Sequence, residues 1–479
     1  MCGIYGITER NPEFINSYIK QCSHRGPDGY SIWYDDDISL GHNLLAITSD
    51  PAQGKQPVET RHGVLTYNGE IFNYADLIKE IEWSPQTTCD TEYLSHALGT
   101  MPHEVVNDKI DSMHAYAYYN KAKKHLILSR DHAGIKPLYY AEIPQGLVFG
   151  SEIKGMINKV PNGRCIDDFA AAAMSYSGIN PTRNTLFKNI KKVMPGETLV
   201  YDVANKRFIH SYQKVITPTS KGKLDLEEFR HEAHETVKMS TLGLRKFGVF
   251  LSGGLDSTLV AYELKKILGE LDSFTNQMNP NVRIGEDFND DANCAKRFAE
   301  DFDFNHHPVE MTPKLVEQFW EDSMFLMEQP VYNMNLPMYY YTNKFLSNKG
   351  VVVTMAGDMG DELLGGYPKY WKMRQPEYLK RMIGKTKIES WGIAQYFYIL
   401  SFIPITLLTI MSLILMIEGQ LFHIFGDARC QIYSLGRIDQ YCMSYFSLML
   451  GISVIAILQI YLYWHYVTSV KNRFFPSNK

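Results

Sequence analysis

The pattern of apolar residues changes near residue 225, and this change constrains the fold of the 479-residue chain more than any other feature. Before it, short alternating segments such as 63–67 and 126–128 are separated by turn residues, which is typical of an antiparallel β protein with helices. After it, apolar strands and helical segments alternate, which predicts an α/β domain with a parallel sheet. Polar residues 217–224 indicate a linker, so we expect one domain over 1–205 and another over 225–387.

Two long uncharged segments follow the second expected domain. Residues 396–417 and 442–464 carry no charged side chain over 22 and 23 residues, and either is long enough to cross the hydrocarbon core of a bilayer. Basic residues flank the pair, so the positive-inside rule places both ends in the cytoplasm. We therefore expect a transmembrane helical hairpin over 396–467 that anchors cytoplasmic catalytic domains to a membrane. The alternative is a pair of buried helices in a large soluble domain.

Charge and cysteine content exclude several classes of protein. The formal net charge of −5 provides no electrostatic basis for binding nucleic acid. The seven cysteines are scattered without a CxxC pair, which favours a reducing compartment and neither disulfides nor zinc. The N-terminus has neither a basic segment nor an apolar core, so no secretory signal is expected.

The second residue, Cys2, is the first candidate for catalysis. Removal of Met1 would place its thiol beside a free α-amine, and an amine with a pKa of about 7.7 to 8 can accept the thiol proton directly or through one water. The alternative is that Cys2 is a small buried apolar residue, which is the commonest role of a free cysteine.

Further motifs favour the catalytic interpretation of Cys2. They are RGPDG at 25–29, NGE at 68–70, TCDTE at 88–92, RDHAG at 130–134 and FGSEIK at 149–154. Taken alone, Asn68-Gly69 is the commonest hairpin dipeptide. In this order, however, the motifs resemble the class II glutamine amidotransferases, and the resemblance covers 1–205. It implies an α+β fold of the Ntn (N-terminal nucleophile) type, a sandwich with αββα layers.

The resemblance implies a role for each residue of this first site. Cys2 attacks the side-chain amide of glutamine, while the Asn68 side chain and the Gly69 N–H stabilise the tetrahedral oxyanion. Asp90 binds the α-ammonium group of the substrate, and Glu70 lies beside the oxyanion hole.

The α-carboxylate of glutamine requires a partner of its own. Leu44 stands where the family usually has the arginine that binds this group, and a neutral residue cannot form the bidentate contact. Arg25, Lys55 or backbone N–H groups would have to replace it.

A second motif, SGGLDS at 252–257, lies between a predicted strand at 248–251 and a predicted helix at 258–268. Paired glycines allow successive backbone N–H groups to face inward, and the helix N-terminus adds partial positive charge, so the loop suits a phosphate. It is not a Walker A loop, because the GK[ST] ending is absent. The motif resembles the pyrophosphate loop of ATP pyrophosphatases, which implies cleavage of ATP between its α and β phosphates.

A third string, AGDMGDELLGGY at 356–367, follows a predicted strand at 351–355. It is very similar to a string in glutamine-hydrolysing asparagine synthetases, and Gln329-Pro330 stands where that family has Glu-Pro. The resemblance implies a ligase that converts glutamine, aspartate and ATP, with Mg²⁺, into asparagine, glutamate, AMP and pyrophosphate through a β-aspartyl adenylate. A homodimer is a candidate assembly.

The resemblance also implies the residues of this second site. Those expected to bind ATP are Leu251, Ser252, Gly253, Gly254, Asp256, Ser257, Asn276, Ala356 and Gly357. Asp256 and Asp361 are expected to act in catalysis and to bind Mg²⁺, and Asp358 and Asp361 to contact the acceptor. Asp358 stands where the family usually has glutamate, and Ala356 where it usually has serine.

The resemblance ends near Lys387. Family members continue with a lysine that stabilises the adenylate, whereas this chain has no lysine between Lys387 and Lys471. Lys369, Lys372 or Arg374 could supply another cation. The alternatives are an amidotransferase for another small carboxylate, a glutaminase alone, a membrane-bound pseudoenzyme, and a fused or frame-shifted reading frame whose tail is incidental.

Overall fold

The structure is a computed structural model that describes residues 1–81, 83–178, 180–215, 225–279, 289–329 and 335–367. The linker expected at 217–224, the cations Lys369, Lys372 and Arg374, and the hairpin expected over 396–467 lie outside the described residues. Within those ranges, none of the helices combines the length and apolar character that crossing a membrane requires.

The described part of residues 1–215 contains twelve strands. They are β1 (Gly3–Ile7), β2 (Gly29–Tyr34), β3 (Ser39–Leu44), β4 (Val58–Glu59), β5 (Gly63–Ile71), β6 (Ser112–Asn120), β7 (His125–Arg130), β8 (Tyr139–Ile143), β9 (Gly146–Gly150), β10 (Lys191–Lys192), β11 (Glu197–Asp202) and β12 (Arg207–Gln213). One antiparallel sheet has the order β10-β8-β9-β1-β3-β2, and the other has the order β12-β11-β7-β6-β5-β4.

The described part of this half also contains α-helices. They include α1 (Pro12–Gln21), α2 (Tyr74–Lys79), α3 (Asp90–Thr100), α4 (His103–Lys109) and α5 (Asp168–Ser177). Between the sheets, Ile4 and Leu40 pack in one core with Val64 and Leu128. Helix α1 packs on the far face of the first sheet, and α2, α3 and α4 pack on the far face of the second. The predicted αββα sandwich is therefore confirmed.

Strand β5 shows how alternation of side chains positions the first site. Leu65 and Tyr67 belong to the outer core beneath α3, whereas Val64 belongs to the core between the sheets. Because successive side chains of a strand point to opposite faces, Asn68 falls on the same face as Val64. This face is directed at the first sheet, where Cys2 immediately precedes β1.

Strand β12 extends the second sheet beyond the boundary expected at 205. It pairs with β11 from Arg207 to Gln213. Most of its side chains are exposed, so its sequence carries only a weak apolar alternation. This weak pattern explains why the sequence places the end of the domain too early.

The described part of residues 225–367 contains four strands and six helices. They are α6 (Leu226–Met239), β13 (Phe247–Phe250), α7 (Leu255–Leu268), β14 (Asp272–Met278), α8 (Asp290–Asp301), β15 (Asn305–Met311), α9 (Pro313–Met327), α10 (Leu336–Asn348), β16 (Val353–Met355) and α11 (Gly360–Leu364). The sheet has the order β15-β14-β13-β16, and all its pairings are parallel, as predicted.

Helix α7 differs from the prediction at its start. It begins at Leu255 rather than at 258, because Gly254 occupies the N-cap position in an extended conformation. Asp256 and Ser257 consequently lie in the first turn of the helix rather than in the preceding loop.

The two halves of the described chain touch at two places. Arg245, just before β13, donates hydrogen bonds to the Ala46 carbonyl and to the Asp28 carboxylate, each at 2.6 Å. The Leu244 N–H donates to the Ile47 carbonyl at 2.9 Å. At the second place, the carboxylate of Glu328 accepts the N–H groups of residues 153 and 154, each at 2.6 Å.

Candidate active site

The Cys2 sulfur lies at the junction of β1, β3 and the loop after β3. It accepts a hydrogen bond from the Leu45 N–H at 3.3 Å, and the Arg25 side chain donates to the Cys2 carbonyl at 3.0 Å. A methyl group on Gly26 would lie 2.4 Å from backbone atoms of Asn43 and Leu44, so only glycine permits this approach. The RGPDG motif thus fixes the backbone on both sides of the candidate nucleophile.

Burial opposes ionisation of this thiol. It raises the pKa of Cys2, while the Leu45 N–H, the α-amine, Lys136 and Arg25 act in the opposite direction. Burial also lowers the pKa of the α-amine of Met1 to about 6. The α-amine of Met1 is therefore mostly neutral at pH 7.

The two expected oxyanion donors lie on β5, in the wall of the same pocket as Cys2. The Asn68 side chain is only 2% exposed, and its Nδ2 finds no hydrogen-bond acceptor among the described residues. Such an orphaned donor is rare in a protein interior and is suited to an oxygen atom of a ligand. At Gly69, a methyl group would lie 2.3 Å from the Met113 carbonyl oxygen, so the position excludes any side chain.

Two carboxylates lie in the wall of the same pocket. Asp90, 3% exposed, accepts hydrogen bonds from the Ile71 N–H at 2.9 Å and the Tyr67 hydroxyl at 3.2 Å, and burial raises its pKa. Glu70 is 5% exposed, and burial, followed by the charge of Asp90, raises its pKa to about 8. Neither carboxylate forms an ion pair with another described residue, and two such buried carboxylates suit an ammonium group.

Leu44 lines this pocket, but the two basic side chains expected to replace the missing arginine do not. Arg25 is paired with Glu152 at 3.0 Å, and Lys55 is exposed. Of the described residues that line the pocket, Lys136 is the one lysine or arginine. Sequence reasoning missed Lys136, although it lies two residues beyond the RDHAG motif.

All the residues expected in the first site therefore lie in one pocket, of about 530 Å³ including its open mouth. Its lining includes Cys2, Leu44, Asn68, Gly69, Glu70 and Asp90. A thiol, a buried amide donor and a pair of carboxylates in such a pocket can bind and cleave an amide that carries an ammonium group.

The residues expected in the second site lie at the carboxyl ends of the strands of the parallel sheet. Leu251 follows β13, Asn276 lies near the carboxyl end of β14, and Ala356 and Gly357 follow β16. The chain order reverses between β13 and β16, so this pair of strands is the topological switch point of the sheet. Such a switch point is where ligands bind in open α/β sheets.

The loop after β13 is held by its own hydroxyl groups. The Ser252 and Ser257 hydroxyls lie 2.8 Å apart, and the Gly254 N–H donates to the Ser252 hydroxyl at 3.3 Å. Gly253 has φ of +84°, and a methyl group there would lie 2.3 Å from the Asp291 carbonyl oxygen. Glycine is therefore needed for both the turn and the contact with α8.

The loop after β16 closes against the start of α7. A methyl group on Gly357 would lie 2.4 Å from the Ser257 nitrogen, and one on Gly360 would lie 2.3 Å from the Asp256 carboxyl carbon. Asp256 is thus packed between the two motifs. Asp361 lies in the first turn of α11, and Asp358 is exposed in the turn before it.

Comparisons with known proteins agree with this division. The sequence model of the glutamine amidotransferase domain family matches residues 1–213, and that of the asparagine synthase family matches residues 228–396. Asparagine synthetase [glutamine-hydrolyzing] 1 of Bacillus subtilis is 28% identical over 79% of this chain and 60% of its own length. Asparagine synthetase B [glutamine-hydrolyzing] of Escherichia coli is 25% identical over 78% of this chain and 66% of its own.

A relative from Methanocaldococcus jannaschii, provisionally named as a second glutamine-hydrolysing asparagine synthetase, is 28% identical over 80% of this chain and 78% of its own. The chain thus spans between three-fifths and four-fifths of the length of these curated relatives.

Proposed function

Because the chain belongs to the family of glutamine-hydrolysing asparagine synthetases, we propose that it forms asparagine from aspartate. Glutamine supplies the ammonia, and ATP activates the aspartate. The observation that carries the proposal is the pocket around Cys2, in which a buried amide donor and two carboxylates surround a thiol beside the chain's own N-terminus.

In the first half reaction, the Cys2 sulfur is the nucleophile. Once Met1 is removed, the α-amine belongs to Cys2 itself and takes the thiol proton. The sulfur attacks the side-chain amide carbon of glutamine, and the Asn68 side chain and the Gly69 N–H stabilise the oxyanion. The α-ammonium group of Cys2 returns the proton to the departing ammonia. Water then hydrolyses the thioester to glutamate. Glu70 and Asp90 hold the substrate's α-ammonium group.

In the second half reaction, the loop at 252–257 binds the pyrophosphate of ATP at the N-terminus of α7. The β-carboxylate of aspartate attacks the α-phosphate, so that pyrophosphate leaves and an adenylate forms. Ammonia then attacks the adenylate carbonyl carbon, which yields asparagine and AMP. Asn276, Ala356 and Gly357 border the nucleotide, and Asp358 faces the acceptor.

The carboxylates present at the second site fit Mg²⁺ only together with a substrate. In the described part of the chain, no group of three or more His, Cys, Asp or Glu side chains could hold a metal ion. Mg²⁺ commonly binds through one or two carboxylates plus substrate phosphates, so Asp256 and Asp361 would hold it with the pyrophosphate of ATP. The ion would neutralise charge on the departing pyrophosphate.

Several features favour a second candidate, a glutaminase without synthetase activity. Ala356 and Asp358 depart from the family pattern, and no lysine lies between Lys387 and Lys471. In that case the first pocket would work alone. Cytoplasmic catalytic domains, a membrane hairpin over 396–467 and a homodimer stay predictions, and carbonate extraction of the expressed protein tests the hairpin.

A product analysis of the purified full chain tests the proposal. With glutamine, aspartate and Mg·ATP, mass spectrometry should detect asparagine, glutamate, AMP and pyrophosphate in equal amounts. Cys2→Ala should abolish the reaction with glutamine and retain it with ammonium, and Asp256→Ala should abolish pyrophosphate release. Glutamate without AMP would select the glutaminase, and another amidated acid would identify another acceptor.

A further inference from the structure

Lys136 is a buried cation without a fixed anionic partner. It is 7% exposed and lies in the wall of the pocket that contains Cys2 and Glu70. No ion pair with an N···O distance of 4.0 Å or less joins it to another described residue. Burying an unpaired ammonium group costs free energy, so a protein retains one where a negative charge develops during function.

The Asp131 carboxylate fixes the backbone that carries Lys136. It accepts the N–H groups of Ala133, Ile135 and Lys136 at 3.1, 2.9 and 3.0 Å. Gly134 has φ of +68° in the same turn, a conformation that favours glycine. The turn is therefore closed around one carboxylate.

The Arg130 guanidinium fixes the same turn from its other side. It donates hydrogen bonds to the carbonyls of Gly134, Lys136 and Val193 at 2.6, 2.7 and 2.8 Å. The RDHAG motif, which the proposed chemistry does not use directly, thus holds Lys136 in one position in the pocket wall.

The charges around Cys2 leave Lys136 as the available cation. Arg25 is engaged with Glu152 and with the Cys2 carbonyl. Burial lowers the pKa of Lys136, and a negative charge on Cys2, ahead of one on Glu70, has the largest effect in the opposite direction. The charge of the Met1 α-amine also favours the Cys2 thiolate, and the charge of Asp28 favours the protonated form of that amine.

We propose that Lys136 is a positioning residue that holds the Cys2 sulfur in its thiolate form before attack on glutamine, an inference that rests on the glutaminase half of the proposed function. The proton passes from the thiol to the α-amine, Lys136 keeps its own proton throughout, and its ammonium charge balances that of the sulfur. No oxidant or further reactant is required.

Alkylation of Cys2 by iodoacetamide tests the inference without any need for turnover. The rate is followed against pH in the full chain, and peptide mass spectrometry identifies alkylated Cys2 among the seven cysteines. Lys136→Met should move the midpoint for thiolate formation upward by about one pH unit or more and slow alkylation at pH 7 about tenfold. Lys136→Arg should restore the wild-type midpoint, because it keeps the charge.

Lys192→Met provides the matched control. Lys192 is a half-buried lysine of the same half that donates to the Asn180 carbonyl outside the pocket, and its loss should leave the midpoint unchanged. An unchanged midpoint in Lys136→Met would overturn the inference, as would a Lys136→Arg variant that behaves like Lys136→Met. If wild-type protein is alkylated as expected but hydrolyses no glutamine, the proposed function fails, and only the stabilisation of the Cys2 thiolate by Lys136 remains.

Discussion

Glu70 and Asp90 line one pocket, and the negative charge of Asp90 disfavours ionisation of Glu70. Burial and the neighbouring charge raise the pKa of Glu70 to about 8, so this side chain is largely protonated at pH 7 in the free protein. An arriving ammonium group reverses the balance, because it favours the ionised form. Binding of glutamine should therefore expel a proton from Glu70.

This coupling predicts a pH dependence of glutamine affinity. In Cys2→Ala protein, which cannot hydrolyse the substrate, the dissociation constant should fall as pH rises from 6 to 8, by up to about tenfold per pH unit. Above pH 8 it should level off, since Glu70 is then already ionised. Calorimetry in two buffers of different ionisation enthalpy measures the released proton. In the double variant Cys2→Ala, Glu70→Gln, the affinity for glutamine should be lower and should not depend on pH. A pH-dependent affinity in this variant would assign the released proton to another group.

At the scale of elements, the second site depends on two loops that meet at glycine. The backbone after β16 lies so close to the start of α7 that a methyl group at Gly357 would collide with the Ser257 nitrogen. This contact joins the carboxyl ends of β13 and β16, the two parallel strands between which the strand order along the chain reverses. A side chain here would separate the loop proposed to bind phosphate from Asp358 and Asp361.

Gly357→Ala should therefore separate the two activities. Because the clash is with backbone rather than with the end of a flexible side chain, we expect synthesis of asparagine from ammonium to fall by at least about tenfold, with glutamine hydrolysis retained. Both rates are measured on one preparation, so the glutaminase rate reports correct folding of the first half. Gly99→Ala, in α3, is the matched control, because alanine is favoured in a helix and the nearest atom is a side-chain carbon at 3.1 Å. Equal loss of both activities in Gly357→Ala would contradict this separation.

At the scale of the whole molecule, the second half holds part of the wall of the first pocket. Ala46 and Ile47 line that pocket, and Arg245 and Leu244 bind their carbonyl oxygens. Asp28 joins this contact, since it accepts hydrogen bonds from both the Ala46 N–H and Arg245. The position of this pocket, in which we propose that glutamine binds, is thus set partly by residues beyond the first domain.

Arg245→Met should accordingly raise the KM for glutamine. Loss of two hydrogen bonds, one of them to a carboxylate, should loosen the loop after β3 and raise KM by about tenfold, whereas synthesis from ammonium should be unchanged. Steady-state kinetics with each nitrogen source distinguish these effects. Arg230→Met removes an exposed arginine that pairs with Glu227 within α6 and should change neither rate. A tenfold loss with ammonium would show that Arg245 supports the second site instead.

The sequence predicts most of the layered fold and of the first site, and the exceptions have physical causes. Cys2, Asn68 and Asp90 stand in short motifs whose spacing is set by the strands that carry them. Lys136 was missed because burial of a lysine leaves no signal in its own sequence; only the turn built by Arg130 and Asp131 reveals it.

Elements with weak patterns account for the other differences. Strand β12 is mostly exposed, so apolar alternation does not identify it. The early start of α7 depends on the cap at Gly254, which apolar periodicity does not register. Where function requires exposed or glycine-rich backbone, the apolar pattern that predicts secondary structure is interrupted.

The hydrogen bonds from Leu244 and Arg245 to the carbonyls of residues 46 and 47 limit where this chain can be shortened. A shortened version ending at residue 215 would keep both layers of antiparallel strands, yet two oxygen atoms beside its substrate cleft would be left to the solvent. The shortened version would retain Cys2, but we expect it to bind its amino acid substrate more weakly. Dissection of this chain into independent parts should therefore retain the segment through Arg245 with the N-terminal piece.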